Sequence, residues 1–407
     1  MAGADEILPA LRLENAVVLG IESSCDETAA SVVDVHAGRL RVRSNVVASQ
    51  HAVHERFTGV VPELASRAHL EHLLPVVRRA LAEAGCDLRD VHAVAVGHRP
   101  GLIGSLLVGT AAAKALAWAR GVPLIGVDHV AAHLVAGFLD RAPPRWPALG
   151  LVVSGGHTHL ALVEDPCRIR VIGRTIDDAV GEAFDKAAVM LGLGYPGGPR
   201  LDAASEGGND AAVAFPVPAR ILRGRRDHDG PARAGEPGPR AVPLDFSFSG
   251  LKTALLYEIR GVPEPPGRRR ASAPPPALTP ERVRDLAASF QRAAVAQIMD
   301  RTTAALAAHP VRTLLVGGGV VANRRLRREL EDLAARSDVE VFLPRMEHCV
   351  DNAAMIAGLA HFRLARGEQD SLALAPSPRS ALSPREGERQ PGLSPSFVPA
   401  DARRSPR

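Results

Sequence analysis

The sequence predicts an α/β protein built as two related halves. Two strand–turn–strand segments of the same plan occur, VVLGIESSCDETAASVVDV (17–35) and PALGLVVSGGHTHLALVED (147–165). Each opens a stretch in which short apolar strands ending in Gly or Asp alternate with helix-length periodic segments. The chain has 407 residues, 46% of them hydrophobic, which is long for one average domain and enough for a sizeable core.

The elements follow in order. In the first hairpin the apolar runs are Val17–Leu19 and Ala29–Val33, joined by a turn full of Ser, Asp and Glu. The second pairs Leu149–Val153 with His159–Val163 across Ser-Gly-Gly. AVAVG (93–97), PLIGVD (123–128) and RTLLVGGG (312–319) read as further strands. Helices are expected at 71–85, 105–121 and 280–309, where apolar residues recur at helical spacing. Residues 17–145 form the first half, completed by a C-terminal helix at about 346–366, and 146–345 the second. Residues 1–16 are an N-terminal extension. Two segments, 219–243 and 261–279, are rich in Arg, Pro and Gly and read as insertions. From about residue 367 the chain turns into Ser-Pro-Arg low complexity, and a disordered tail is expected over 367–407.

Composition excludes several classes. No run of 18 apolar residues occurs, so no membrane-spanning helix is expected. The N-terminus MAGADEILPALRLEN is acidic and lacks a signal-peptide core, so a cytoplasmic location is expected. Cys25, Cys86, Cys167 and Cys349 form no CxxC pair and argue for neither disulfides nor a zinc knuckle. The net charge of +4 is mild, and its excess is local: residues 220–240 carry six Arg against three acids. Such segments can grip RNA phosphates, although a solvated loop has the same composition.

The segment GVDHVAAHLVAGF (126–138) carries the clearest chemical signal. His129 and His133 are four apart in a helical run, which puts both rings on one face with Cβ atoms ~6 Å apart, a two-histidine metal clamp. A zinc peptidase of the HExxH kind needs a glutamate after the first histidine, and that position is Val130. Asp351 in HCVDNAAMIAGLAHF reads as a helix N-cap or as the carboxylate that completes the set. His157 and His159, on one face of a strand, are a competing pair.

Other segments offer binding chemistry. Backbone amides of Ser154, Gly155 and Gly156 can cradle a phosphate. Gly317–Gly319 permit close approach of a ligand, with Asn323 expected in the first turn of the next helix, pointing toward the site. Glu182 and Lys186 read as a surface ion pair, leaving Asp185 for a ligand. Tyr195-Pro-Gly-Gly-Pro199 is a rigid loop followed by Asp202. LDFSFSGLKTAL (244–255) is expected to put Phe246 and Phe248 on one face of a strand.

Nine ordered segments, spanning roughly 17–365, together resemble one family. They are GIESSCDETAASVVD, GVVPELASRAH, GLIGSLLVG, DHVAAH, LVVSGGHTHL, IDDAVGEAFDKAAVMLGLGYPGGP, LDFSFSGLKTA, GGGVVANRRLR and VDNAAMIA. The family is that of the tRNA adenosine threonylcarbamoyltransferases, TsaD. The resemblance implies two domains of the actin, heat-shock ATPase and sugar kinase (ASKHA) superfamily, with the active site in the cleft between them. It implies transfer of threonylcarbamoyl from threonylcarbamoyl-adenylate to N6 of the adenosine next to the anticodon, in tRNAs reading codons that begin with A. It further implies His129, His133 and Asp351 as ligands of one divalent metal, iron (Fe2+) or else zinc. Substrate-binding positions fall on Val152, Val153, Ser154, Gly155, Gly156, Asp185, Gly198, Asp202 and Asn323. Asp26 and Glu27 match the acidic pair near the reacting centre. A TsaB-like paralogous subunit and a small TsaE-like ATPase are the implied partners. Two departures stand out: Arg99 occupies a position where the family has glycine, and DHVAAH replaces the more frequent HHMEGH.

Three rivals share parts of this pattern. A small-molecule kinase of the same superfamily gives no reason for the two histidines and Asp351. A metallopeptidase lacks its base. A non-catalytic scaffold of the same fold has no need of intact metal ligands.

Overall fold

The computed structural model describes residues 15–57, 59–217, 244–261 and 278–382. The two Arg-rich insertions expected from the sequence lie almost wholly outside these. The first sheet starts from β1 (Val18–Glu22), β2 (Glu27–His36) and β3 (Arg39–Ser49), an antiparallel meander. Parallel strands β4 (Ala93–Arg99) and β5 (Leu124–Asp128) extend it on the other side of β1, for the order β3-β2-β1-β4-β5. The second sheet repeats the plan. β6 (Ala148–Val153), β7 (Thr158–Asp165) and β8 (Arg168–Arg174) are the meander, and β9 (Thr313–Gly317) and β10 (Glu340–Phe342) run parallel beyond β6. Both hairpins anticipated from the sequence are therefore the start of a sheet of identical topology.

The central strands β1, β4, β5, β6 and β9 are buried on both faces. In β1, Leu19 and Ile21 meet α2 (Pro62–Glu83) and α3 (Ile103–Arg120), while Val18 faces the opposite layer. α2 begins nine residues earlier than the apolar periodicity suggests, because Pro62 sits in its first turn, where its missing N–H costs nothing. On the second sheet, Leu149, Leu151 and Val153 pack under α5 (Val180–Met190), α6 (Gly197–Ala204), α7 (Ser249–Arg260), α8 (Pro280–Ala308) and α9 (Arg324–Arg336).

The inner faces of the two sheets share one further core. It holds Val18, Ile125 and Met355 from the first half together with Val152 and Leu315 from the second. Two helices fill this middle layer, α4 (His129–Ala136) and α10 (Ala353–Ala365). Close approach requires glycine on the strands facing them. A Cβ at Gly20 would collide with the Ala353 carbonyl, and one at Gly317 with the carbonyl of His133.

Two expectations are corrected. Phe246 and Phe248 are buried and stacked, at 6.1 Å between ring centroids, yet no strand forms there; Phe246 makes a single bridge to Thr175. Packing on α8 and the meander holds this segment, so ladder pairing is not needed. The disorder expected from 367 does not hold for residues 367–382, and 383–407 lie outside the described residues. Residues 367–382 lie against the first sheet, where Asp370 pairs with Leu124 and backbone polar groups find partners. Among the described residues no helix is long and apolar enough to cross a membrane.

The middle layer carries a pH liability. His361 on α10 is fully buried, with Nε2 3.1 Å from the Val33 carbonyl, and burial pushes its ring down to about 4. The folded ring is neutral, whereas the unfolded ring gains a proton below about 6.5. The unfolded chain thus binds more protons between these values, and stability falls as pH drops through the window. We expect a loss of about 2 kcal/mol between pH 7 and pH 5 from this group. Thermal unfolding at the two pH values should show a smaller acid-side drop for His361→Gln; an equal drop would rule out His361 as the cause.

Candidate active site and metal centre

β5 runs directly into α4. The Asp128 carboxylate caps the helix, accepting from the Val130 and Ala131 amides at 3.1 and 3.3 Å. Every residue of α4 is buried, so its two histidines are held in an apolar layer, with ring centroids 4.6 Å apart. Their Nε2 atoms converge on one oxygen of Asp351, at 3.3 Å from His129 and 3.4 Å from His133. Asp351 is not the cap of α10. Asn352 is, with its side chain accepting from the Met355 amide at 3.0 Å, and Asp351 is left facing the histidines.

The surroundings fit a metal ion. His129 Nδ1 lies 3.0 Å from Glu22, which orients the ring and leaves Nε2 for a ligand role. Glu22 is wholly buried at the end of β1, and it has room only because residue 97 is glycine. His133 is wholly buried, and apart from the Asp351 approach its Nε2 has no hydrogen-bond partner, which an ion at that nitrogen would answer. Burial holds its pKa below the ordinary value, so its lone pair is free. Burial alone would raise the Asp351 carboxyl, but the two imidazoles outweigh it and hold it well below the usual range. Burial lowers the His129 ring, but Asp351 and Glu22 outweigh it and hold its pKa well above the ordinary value, so an ion bound there would displace that proton. Two imidazoles and one carboxylate would then be on offer.

A second cluster stands beside the first. Asp26 and Glu27, from the turn of the first hairpin, lie near His51 on α1 (His51–His54), whose Nε2 is 3.4 Å from Glu27 and 3.8 Å from Asp26. The Tyr195 hydroxyl donates to Asp26 at 3.3 Å. Burial pushes Glu27 up to about 8.

Both clusters open into a cavity of about 720 Å³ between the halves. Asp26, Glu27, His129 and Asp351 line it from one side, and Ser154, Gly155, Gly156 and Asp185 from the other. A Cβ at Gly155 or Gly156 would meet nothing within 4 Å, so this turn presents bare backbone to the cavity. Glu182 and Lys186 pair at 2.7 Å as expected.

The remaining expected residues stand behind this wall. His133, Val152 and Val153 are buried, the latter two in β6. Gly198 donates its amide to Asp185 at 3.0 Å. Asp202 is held by Gln291 at 2.6 Å and Arg324 at 2.8 Å. Asn323 does not enter the first turn of α9; it is the N-cap, and its side-chain oxygen accepts from the Arg325 and Leu326 amides at 3.1 and 3.0 Å. Of the competing histidines, only His157 reaches the cavity; among the described residues no carboxylate completes a set with it or with His159. Arg99 lies against Asp128, 3.6 Å from its carboxylate, so its charge faces the acid that caps α4.

Sequence reasoning missed Glu22, His51 and the hydroxyl of Tyr195. Glu22 sits inside the quoted GIESSCDET motif, which was the one available hint. Nothing in the sequence marks His51, since its partners are 24 and 25 positions away.

A family model described as TsaD, tRNA N6-adenosine threonylcarbamoyltransferase, matches residues 41–358. A tRNA N6-adenosine threonylcarbamoyltransferase from Trichlorobacter lovleyi is 48% identical over 358 residues, covering 88% of this chain and 94% of its own. One from Moorella thermoacetica is 46% identical over 369 residues, covering 90% and 97%. Among solved structures, HypF of T. kodakarensis is similar with a TM-score of 0.51 at 14% identity, covering 87% of this chain and 48% of its own, and shares the fold.

Removal of one ligand tests the centre. Protein reconstituted with Fe2+ or Zn2+ should retain an ion through dialysis, and His133→Ala should lose it. Glu22→Gln should weaken binding by about 10–100-fold. Equal metal content in wild type and His133→Ala would refute the assignment.

Proposed function

The chain belongs to the TsaD family of tRNA N6-adenosine threonylcarbamoyltransferases, and we propose that the cleft described above is where it carries out that reaction. Its substrate is tRNA, and the product is N6-threonylcarbamoyladenosine next to the anticodon. The observation that carries the assignment is one cavity receiving the three metal-ligating groups, two acidic side chains and a bare glycine turn from opposite halves.

We assign His129, His133 and Asp351 to one divalent ion, Fe2+ by family resemblance. A metal held there supplies Lewis acidity to the threonylcarbamoyl carbonyl. The chain's own groups do the rest. Ser154, Gly155 and Gly156 direct backbone amides at the adenylate phosphate. Asp26, steadied by Tyr195, orients the adenine amine and takes its proton as N6 attacks the carbonyl and AMP departs. Glu27 is raised to about 8, so near neutrality it keeps its proton and does not compete as a second anion.

Hydrolysis is a poor fit for this site. Val130, where a peptidase places its base, is wholly buried in the apolar layer. Glu22 is near but occupied, one oxygen taken by the Ser24 amide at 2.5 Å and the other by His129. Neither Val130 nor Glu22 therefore offers a free base beside the metal ligands.

The paralogous TsaB-like subunit is assigned to the outer face of α2 and α3. Leu70 and Leu74 lie one turn apart on α2, Ile103 and Leu107 one turn apart on α3, and all four are exposed, Leu70 by 68%. A tRNA substrate is in keeping with the cytoplasm.

The transfer assay is direct. Protein, partner subunits, tRNA and supplied threonylcarbamoyl-adenylate should give threonylcarbamoyladenosine in a tRNA digest, and a chelator should abolish it. Asp26→Ala should lower turnover by about 10²–10⁴-fold with metal content intact; wild-type turnover in that variant would remove the proposed role. Leu107→Arg should abolish the hetero-complex on gel filtration without altering metal content.

A further inference from the structure

The segment after α10 crosses the first sheet and ends at the metal helix. The Asp370 amide donates to Leu124 at 2.8 Å, and its carboxylate accepts from the Gly126 amide at 2.7 Å. Leu374 packs on Gly126, where a Cβ would come within 2.8 Å of it. Further on, Ser377 donates its amide to the His98 carbonyl at 2.9 Å, and the His98 ring lies 3.1 Å from the Ala375 carbonyl. The strap therefore follows the ends of β5 and β4 toward the cleft, and Pro378 forms part of the cavity wall.

Its last contacts are on Asp128. The Ser380 hydroxyl donates to that carboxylate at 2.8 Å, and the Ala381 amide at 2.7 Å. Asp128 is buried, with only 9% of its surface exposed, so its charge depends on these donors. Oδ1 holds the first turn of α4 through the Val130 and Ala131 amides. Oδ2 takes the Ala381 amide and the shorter Ser380 contact, the Ser380 hydroxyl also lying 3.1 Å from Oδ1, with Arg99 waiting at 3.6 Å. Strap and metal helix are thus fastened to one carboxylate. The next residue is His129.

We propose that Ser380 is a positioning residue for the metal centre. It acts through Asp128, whose carboxylate sets the start of α4 and hence the placement of His129 and His133 against Asp351. Without the hydroxyl, Oδ2 keeps one amide and turns toward Arg99, and the cap on α4 loosens with it. This rests on the reading of His129, His133 and Asp351 as metal ligands.

The test uses the full chain as wild type, Ser380→Ala and Ser380→Thr. The first readout is hydrogen exchange of the amides of residues 130–136 in metal-free protein, well below the melting temperature. The second is the iron dissociation constant, from competition with a chromogenic chelator. Ser380→Ala should speed exchange in that helix and weaken iron binding by about tenfold, while Ser380→Thr, which keeps the hydroxyl, should restore both. A Ser380→Ala protein with a lowered melting temperature but unchanged exchange at 130–136 and unchanged iron affinity would overturn the proposal. If the wild-type chain binds no iron, the metal reading fails separately, and exchange at 130–136 still decides whether Ser380 governs the helix.

Discussion

A polar triad inside an apolar layer is the constraint on which the rest of the molecule depends. α4 is buried between two sheets, yet it carries two imidazoles that meet a carboxylate from the start of α10. Groups of this kind are costly away from water unless each is paired or bound to an ion. The surrounding architecture reads as a response. Glu22 fixes His129, Asn352 takes over the capping of α10 so that Asp351 is free, and Gly97 and Gly317 remove the side chains that would otherwise occupy the space.

The same layer joins the two halves. Its core draws side chains from both sheets, so the cleft floor is continuous although its walls come from opposite halves. One wall carries acidic side chains and the other a backbone turn, which suits a substrate with an electrophilic carbonyl beside a phosphate. The surroundings of the two acids of the first hairpin differ: burial drives Glu27 up to about 8, and Asp26 receives the Tyr195 hydroxyl from the opposite half.

Arg99, which the sequence sets against a glycine in similar proteins, meets Asp128 in the fold. Arg99 and Asp128 are neighbours across the β4–β5 ladder, and the returning C-terminal strap donates to the same carboxylate. An arginine replacing a glycine looks damaging along the sequence. In the fold its charge faces an acid that caps the metal helix, and the change becomes one part of a local arrangement.

The sequence by itself determined the two hairpins and the α/β class in two halves, because period-2 apolar runs and turn chemistry are local signals and the hairpins repeat them, while the strand order of each sheet came from the fold. It also determined the two-histidine face, since a spacing of four residues on a helix is a local geometric fact. It left Asp351 open as a cap, and the tertiary structure shows that it is not one, because Asn352 takes the Met355 amide while α4, from more than 200 positions away, brings two imidazoles to the Asp351 carboxylate. Glu22, His51 and the strap over Asp128 were likewise settled only in three dimensions. Low-complexity composition at 367–382 concealed order, since the contacts that hold that segment belong to β4, β5 and α4 and leave no period in the strap itself.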